Sequence, residues 1–428
     1  MHLTDEEKAI LNGGQGQMMQ RVMATIVTYG EALEAERLVG ITGSGHFVIA
    51  HAIPGIAPSM EMLDDLIAAG LQTAYPFTVD PAAPLDVDNW RLTESQTAKL
   101  RRMYREQALY DRKLKALGCR GPDGYTCTPY LPEVGNTPRR GDILAWSESA
   151  CVVFANAVLG ARTNRNGAII DLLCNIAGKV PLSGFLTDEG RRATWCLRIK
   201  TRARPLPQLL GAAIGRLVLA DVPYIVGLDR FLGGGIDADT RDYLHELGAA
   251  AAAAGAVGLF HVENVTPEAV DAGPAIMDRD CQTAVIDEDT LADLTASYPV
   301  LWHDAAAAPA KCFLGCPHLS RNQLQKWSAA IENALQRHGR RRLAVHTTIC
   351  AAPPVLQAFA KSRAWRRLID AGVRFSPACA MQLFDNDLSR DDAVITNSTK
   401  LRTYTHARFF PDDDIADIVV TGRLRHAP

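Results

Sequence analysis

The sequence of 428 residues contains no apolar run of the ~18 residues that a membrane-spanning helix needs. The longest candidate, residues 248–260, consists mainly of alanine and is too short. The N-terminus carries the acidic residues Asp5, Glu6 and Glu7 where a secretory signal would be basic and then apolar. These features predict a cytoplasmic protein with no membrane partner.

The sequence also has little net charge, because 45 Lys and Arg stand against 48 Asp and Glu. A balance so close to zero provides no global field to attract nucleic acid or an anionic membrane. With 47% hydrophobic residues the chain can bury large cores, and its length predicts two or three domains. We therefore predict a globular protein, in which any phosphate binding must be local.

No internal repeat, low-complexity tract or long linker interrupts the chain, and predicted helices alternate with short strands. This alternation predicts an α/β fold. Thr4 and Glu7 form a capping box that opens the first helix. Later in the chain, helices are predicted at residues 319–338 and 353–371 and a strand at residues 256–261.

Ten cysteines in a cytoplasmic chain are expected to be small buried residues, reactive thiolates or metal ligands rather than disulfides, and no CxxC pair is present. Most lie in apolar runs and fit a core, but Cys127, Cys316 and Cys379 each lie close to a proline and a bend. Thiols on turns can converge from distant parts of a chain on one iron–sulfur cluster. The spacing alone favours structural turn cysteines, so the residues themselves leave both interpretations open.

The densest group of polar side chains flanks a predicted buried element, residues 152–159. Its members are Glu148, Ser149, Arg162, Asn164 and Arg165. Two arginines three residues apart can present forked donors to a planar anion such as a carboxylate. The alternative is an arginine-rich loop held by surface ion pairs, and the motif alone does not separate the two.

Five motifs of the chain resemble those of the aconitase X family and occur in that family's order. They are residues 126–130 (TCTPY), 148–167, 260–262 with 266–269 (FHV and TPEA), 314–320 (LGCPHLS) and 396–400 (TNSTK). The similarity extends from residues 3–7 (LTDEE) to the C-terminal region and so covers nearly the whole chain.

The resemblance implies an aconitase-like fold, in which three α/β domains surround an iron–sulfur cluster, and the dehydration of a small hydroxy acid. Approximate subdomains are then 1–145, 146–230 and 231–428. Known activities of the family are cis-3-hydroxy-L-proline dehydratase, typical of bacterial members, and mevalonate 5-phosphate dehydratase, typical of archaeal ones. A composition with 35 Arg to 10 Lys is typical of a GC-rich bacterial genome and favours hydroxyproline.

By the same resemblance, Cys127, Cys316 and Cys379 become the cluster ligands, which leaves one iron position open to a substrate hydroxyl. Ser398 is the implied base, because aconitase-type enzymes use a serine alkoxide, and Lys400 nearby would lower its pKa. The alternative for Ser398 is capping of a helix after a strand.

The remaining polar residues receive roles that fit dehydration. Arg162, Asn164 and Arg165 are expected to hold the substrate carboxylate, with Ser149 and His46 as further contacts. Glu148 either donates a proton or pairs with Arg162. His318 either assists the leaving group or hydrogen-bonds a cluster sulfur, and His261, like His46, is more often structural at a strand end.

Two features depart from the family pattern. Asn166 stands where members usually carry glutamate, and residues 75–78 lack a threonine pair. The chain also ends without the small swivelling domain of aconitases, which implies a separate small subunit. The competing hypotheses are a non-catalytic scaffold and a hydrolase that uses Cys316 and His318, the latter disfavoured because the two residues share one proline turn.

Overall fold

A computed structural model of the protein, described here for residues 1–52, 57–381 and 392–424, has helices alternating with strands along the chain. All strand pairs but one among these residues are parallel. This arrangement confirms the predicted α/β class. None of the helices in these ranges is long and apolar enough to cross a lipid bilayer.

The first third of the chain is mainly helical, with short strands paired in twos. Its helices are α1 (Asp5–Leu11), α2 (Gln17–Ala32), α3 (Ala57–Ala68), α4 (Val87–Trp90), α5 (Glu94–Met103), α6 (Gln107–Leu117), α7 (Ser149–Ala157) and α8 (Ala168–Ala177). Its strands are β1 (Leu38–Gly40), β2 (His46–Phe47), β3 (Thr78–Val79), β4 (Ile143–Ala145), β5 (Arg162–Asn164) and β6 (Lys179–Pro181). The pairs are β1 with β6, β2 with β3 and β4 with β5, of which the first is antiparallel.

The middle of the chain builds a four-stranded parallel sheet in the order β10-β7-β8-β9. Its strands are β7 (Ala193–Ile199), β8 (Pro223–Val226), β9 (His261–Val262) and β10 (Met277–Ile286). The helices are α9 (Pro207–Val218), α10 (Ala238–Ala254), α11 (Pro267–Ala272) and α12 (Glu288–Ala296). The predicted strand over residues 256–261 is wrong except at its end, because residues 256–260 run through the core without a strand partner and only His261–Val262 pairs with β8.

The last third builds a five-stranded parallel sheet in the order β13-β12-β11-β14-β15. Its strands are β11 (Lys311–Leu314), β12 (His346–Cys350), β13 (Arg374–Ser376), β14 (Val394–Thr396) and β15 (Arg408–Phe409). The helices are α13 (Arg321–Arg337), α14 (Pro353–Phe359), α15 (Arg363–Ala371), α16 (Thr399–Tyr404) and α17 (Asp412–Thr421). The predicted helix over 353–371 is two helices, because the Ser362 side chain accepts from the amide of Trp365 and starts a new one.

Capping boxes start two helices, of which the first was predicted from the sequence. The Thr4 side chain accepts from the Glu7 amide, and the Glu7 carboxylate accepts from the Thr4 amide. Ser320 and Gln323 form the same reciprocal box at the start of α13. Both boxes satisfy amides that the first turn of a helix leaves without intrahelical partners.

A segment of the first third packs against the sheet of the last third. The Trp90 ring stacks on Phe313 with centroids 5.3 Å apart, and its Nε1 donates to the Ser376 Oγ. The backbone carbonyl of Asn89 accepts from the Thr348 hydroxyl. The first and last thirds of the chain are therefore joined by a shared apolar core.

Candidate functional site

The predicted cluster cysteines come from two parts of the fold. Cys316 and Cys379 follow β11 and β13 at the carboxyl edge of the five-stranded sheet, where α/β folds place their ligand-binding residues. Cys127 lies in the irregular segment after α6. All three line one cavity of about 490 Å³, as the cluster prediction requires.

Backbone contacts hold each cysteine in place. The His318 amide donates to the Cys127 Sγ over 3.1 Å, and the Cys379 amide donates to the Ala82 carbonyl over 3.0 Å. Gly315, directly before Cys316, has φ of +102°, and a Cβ there would lie 2.2 Å from the Cys350 carbonyl oxygen. Only glycine permits both that backbone conformation and that approach.

The environment of the thiols favours metal binding over reaction as free nucleophiles. Burial raises the pKa of Cys127 and of Cys316, and Lys400 opposes the rise only in part. Neutral buried thiols are unreactive, whereas a bound metal keeps its ligands as thiolates. Three thiols on one cavity wall are therefore a donor set that fits an iron–sulfur cluster.

A buried ion pair borders the same cavity. The Lys400 Nζ lies 2.7 Å from the Glu148 Oε1, and both side chains are less than a tenth exposed. The other Glu148 oxygen caps α7 by accepting from the Cys151 amide over 2.7 Å. Burial alone would raise the pKa of Glu148, but Lys400 and the Cys151 amide outweigh it and lower the pKa to about 2. Burial would lower the pKa of Lys400, but Glu148 and the nearby thiols raise it instead.

Glu148 therefore pairs with Lys400 rather than with Arg162, and it is ionised at neutral pH. Ser149, the next residue, lines the cavity, and its Oγ lies 3.5 Å from the Lys400 Nζ. A carboxylate with so low a pKa is a poor proton donor, so the alternative role of Glu148 as an acid has no support in this geometry.

Ser398 is the N-cap of α16, which is the alternative that the sequence left open. Its Oγ accepts from the Leu401 amide and donates to the Cys316 carbonyl at 2.5 Å. It is buried and does not belong to the residues that line the cavity. Lys400 bonds Glu148 instead of Ser398, because residues two apart at a helix start face different directions.

The predicted site histidines lie behind the cavity wall. His46 is buried, its Nδ1 is 2.9 Å from the Thr78 Oγ1, and burial lowers its pKa to about 4. His318 is buried too, its Nδ1 is 3.1 Å from the Thr126 Oγ1, and burial lowers its pKa to about 3. The backbone of His318, not its ring, contacts the Cys127 sulfur. His261 contacts the Arg191 carbonyl and is structural.

His46, Glu148 and Cys151 form the one set of three ligand-type side chains, within the described ranges, whose donor atoms all lie within 4.8 Å of one another. Such a set resembles a site for a single metal ion. The Glu148 oxygens are already bonded to Lys400 and to the Cys151 amide, however. The ammonium of Lys400 thus supplies the positive charge that an ion would bring, and the set is better described as the buried support of Glu148.

The structure does not bring the arginine motif to the cavity. The Arg162 guanidinium donates to the Leu186 carbonyl and to Asp188. The Asn164 side chain donates to the Ser183 carbonyl and accepts from the Phe185 amide. Arg165 is exposed, and none of the three lines the cavity. These contacts correspond to the loop with surface ion pairs that the sequence left as the alternative.

The contacts of the Asn166 side chain explain why asparagine, and not glutamate, stands at this position. Its side-chain amide donates to the carboxyl of the buried Asp171 over 2.9 Å, and its oxygen lies 3.3 Å from the Tyr29 hydroxyl. Burial raises the pKa of Asp171 well above its usual range. A glutamate at position 166 would set a second carboxylate against Asp171, whereas the amide of asparagine satisfies it.

Sequence reasoning missed a histidine and an aspartate in the cavity wall. His51 and Asp80 both line the cavity, and the His51 Nδ1 lies 3.5 Å from the Asp80 Oδ2. They follow β2 and β3, which pair in parallel, so their proximity results from strands ending at one edge. A strand of two residues is too short to show an alternation of apolar and polar residues in the sequence. Only the pairing of β2 with β3, which brings their ends to one edge, could have indicated the pair.

Comparison with known proteins agrees with this architecture. Three family models match consecutive regions of the chain. They are described as Aconitase X first domain (residues 1–189), second domain (residues 194–296) and third domain (residues 311–412). The crystal structure of Thermococcus kodakaraensis aconitase X in its holo-form superposes with a TM-score of 0.80 and 26% identity, covering 98% of this chain and 100% of that one.

Curated relatives carry two activities. The chain is 32% identical to the phosphomevalonate dehydratase large subunit of Thermococcus kodakarensis over 76% of each chain. It is 30% identical to that of Aeropyrum pernix over 94% of this chain and 95% of the relative. It is 28% identical to the cis-3-hydroxy-L-proline dehydratase of Pseudomonas aeruginosa over 78% of this chain and 54% of the relative. The chain belongs to the aconitase X family.

Proposed function

We propose that the chain is the large, catalytic subunit of an iron–sulfur-dependent hydro-lyase that dehydrates cis-3-hydroxy-L-proline to Δ1-pyrroline-2-carboxylate. The observation that carries the proposal is the cavity itself, which three cysteines and the buried Lys400–Glu148 pair line together. The relatives named above are dehydratases, which supports the same reaction class.

Cys127, Cys316 and Cys379 would hold the cluster. When bound, such a cluster supplies a Lewis acid for the departing hydroxyl of the substrate. The nuclearity of the cluster does not follow from three thiols.

The protein's own charged groups bind and orient the substrate in this proposal. Lys400 is the one Lys or Arg among the described residues lining the cavity, and Glu148 balances it there. A substrate carboxylate would approach Lys400 and the Ser149 hydroxyl, and a substrate ammonium would approach the carboxylates of Glu148 or Asp80.

The charge of the cavity favours an amino acid over a phosphate ester. cis-3-Hydroxy-L-proline is a zwitterion with one carboxylate and one ammonium. Mevalonate 5-phosphate carries a carboxylate and a phosphate of about −1.5 to −2 charge, and it needs more cations than Lys400 alone. A cavity with one paired lysine suits the zwitterion.

The sequence-based roles of Arg162, Asn164 and Arg165 as carboxylate ligands, of Ser398 as the base, and of His46 and His318 in the reaction stay predictions. The contacts described above support positioning roles for Ser398 and His318, which hold the segment around Cys316 and Cys127. They support a backbone-bracing role for Arg162 and Asn164.

A separate small subunit is part of the proposal. Relatives at 30–33% identity are named large subunits, which implies a second chain in those enzymes. In this chain Val48 and Tyr404 line the cavity yet are 46% and 49% exposed. Apolar side chains left exposed at a cavity rim are typical of a surface that a partner covers.

Mevalonate 5-phosphate is the second candidate substrate, because several phosphomevalonate dehydratase large subunits match the chain at about this identity and over much of its length. In that case the cations for the phosphate would come from outside the described cavity wall, for instance from the small subunit.

The two substrates are separated by kinetics on the chain reconstituted without oxygen with iron, sulfide and a small subunit. We expect kcat/KM for cis-3-hydroxy-L-proline to exceed that for mevalonate 5-phosphate by at least about tenfold, or ~1.4 kcal/mol. trans-3-Hydroxy-L-proline, which has the same charges and the opposite hydroxyl face, is the matched control. A preference for the phosphorylated compound would reverse the assignment, and turnover of neither would refute both.

A further inference from the structure

One side chain in the cavity wall, that of His51, has no role in the function proposed so far. His51 and Asp80 lie side by side, with side chains only 9% and 10% exposed. The backbone holds the aspartate, since the Ala50 amide donates to the Asp80 Oδ1 over 2.8 Å. The His51 ring also packs edge-on against Tyr104, with centroids 6.0 Å apart. The pair is therefore a fixed part of the wall.

The arrangement selects one tautomer of the imidazole. Burial raises the pKa of Asp80, and His51 and the Ala50 amide oppose that rise. As a carboxylate facing Nδ1, Asp80 favours the ring with its proton on that nitrogen, which leaves Nε2 with a free electron pair. The His51 Nδ1 to Asp80 Oδ2 distance of 3.5 Å is longer than an ordinary hydrogen bond, as is frequent before a ligand binds. The His51 Nε2 is buried and has no hydrogen-bond partner in the described part of the chain.

The other titratable groups of the described cavity wall are poorly suited to accept a proton at neutral pH. Glu148 is bonded to Lys400, and its pKa is about 2. The pKa of Lys400 is raised, so its amine is already protonated. Burial raises the pKa of Tyr110, so its phenol keeps its proton. The three cysteines are assigned to the cluster.

We propose that His51, oriented by Asp80, is the catalytic base that takes the proton from the substrate α-carbon, in place of Ser398, whose hydroxyl bonds the Cys316 carbonyl and the Leu401 amide. The proposal rests on the dehydration proposed above. The Cα–H bond breaks and its proton goes to Nε2, its electron pair forms the Cα=Cβ bond, and the Cβ–O bond breaks. The departing hydroxide takes a proton from solvent to become water, the His51 imidazolium later returns its proton to solvent, and the enamine product tautomerises to the cyclic imine. Asp80 is a positioning residue that also stabilises the imidazolium.

The kinetic test compares His51→Gln with the wild type in the reconstituted enzyme, with cis-3-hydroxy-L-proline as substrate. We expect kcat to fall by about 100-fold or more while KM changes little, because the glutamine keeps volume and polarity but accepts no proton. Asp80→Asn should lower kcat by about tenfold or more. His303→Gln removes an exposed histidine away from the cavity and should match the wild type.

The structural test uses ¹⁵N-histidine NMR on the chain without cofactor, with the His51 signals identified by their loss in His51→Gln. We expect the ring proton on Nδ1 in the wild type and a changed tautomer in Asp80→Asn, because the carboxylate that selects the tautomer is lost. Wild-type kcat in His51→Gln overturns the proposal, and so does a ring protonated at Nε2 or a tautomer indifferent to Asp80→Asn. If the wild type converts neither candidate substrate, the proposed dehydration fails, and the NMR result then decides separately on the pair.

Discussion

The arginine motif of residues 162–167 and the cysteine cavity are both rich in polar side chains, but these side chains find their partners in different places. In the motif, Arg162 and Asn164 bond backbone carbonyls and amides of residues 183–186. In the cavity wall, the three thiols line one shared space, and the His51 Nε2 lacks a partner in the described ranges. A dense group of polar side chains therefore does not by itself indicate a site, because neighbouring residues can satisfy all of them, as in the motif.

The largest expected effect comes from a cysteine of the proposed cluster site. Cys316→Ser should reduce bound iron to background after anaerobic reconstitution and lower kcat by about 10³-fold, since the Lewis acid is worth several kcal/mol. Iron content and visible absorbance are the measurements. Cys281→Ser, at a partly exposed cysteine of β10 that does not line the cavity, is the control. Full iron binding in Cys316→Ser would remove that residue from the ligand set.

The buried ion pair should dominate stability near the cavity. Lys400→Met leaves the Glu148 carboxylate buried without its partner, so we expect a loss of about 3–5 kcal/mol in the free energy of unfolding. The double variant with Glu148→Gln should recover much of that loss. Arg367→Met, which breaks the exposed pair with Glu332, should cost under about 1 kcal/mol. Urea titration measures the unfolding free energy of each variant. Equal losses in Lys400→Met and Arg367→Met would contradict the description of a buried pair.

The same pair predicts a pH dependence. Because the pKa of Glu148 is lowered to about 2 in the folded protein, its contribution to stability is present above the ordinary pKa of 4.5 and is lost as the pH falls toward 2. The difference in unfolding free energy between wild type and Glu148→Gln should therefore shrink across this interval. A difference that stays constant from pH 5 to pH 2 would mean that the carboxylate is not held by Lys400.

A smaller effect is expected at the turn that presents Cys316. Gly315→Ala places a Cβ 2.2 Å from the Cys350 carbonyl oxygen in a backbone with φ of +102°, so the turn must shift. We expect a loss of about 1–3 kcal/mol in stability together with weaker iron retention. Gly234→Ala, where nothing lies within 4 Å, is the control. Unchanged iron retention in Gly315→Ala would show that the turn does not set the sulfur position.

The smallest effect should come from the arginine motif. Arg165 is exposed and away from the cavity, so Arg165→Lys should change kcat/KM by only about twofold. Arg162→Lys loses the forked contact with Leu186 and Asp188 and should lower stability by about 1 kcal/mol. Steady-state kinetics and unfolding measure the two. A strong loss of kcat/KM in Arg165→Lys with intact stability would support the carboxylate role inferred from sequence.

The sequence predicted those parts of the fold that short-range rules determine. The capping box at Thr4 and Glu7 is present, and the alternation of helices and strands is the observed α/β class. The helix over 353–371 was predicted as continuous because its apolar pattern hides the cap at Ser362. Residues 256–260 have strand-like composition, but tertiary packing leaves them without a strand partner.

The site was predictable only in part for a related reason. The turn contexts of Cys127, Cys316 and Cys379, read with the family resemblance, singled out residues that do line one cavity. The partners of Arg162 lie 24 and 26 residues further along the chain, and no local signal reveals them. His51 escaped notice because its partner Asp80 follows a separate two-residue strand.

The packing of Trp90 on Phe313 has a consequence for how the protein can be divided. The first family region ends at residue 189 and the third begins at 311, yet the indole of Trp90 is buried in the core of the latter. A fragment that ends at residue 189 would expose Trp90 to water, and a fragment that begins at residue 311 would uncover the Phe313 face of the five-stranded sheet. The first and third family regions are therefore not independent folding units, and we expect each to fold only in the presence of the other.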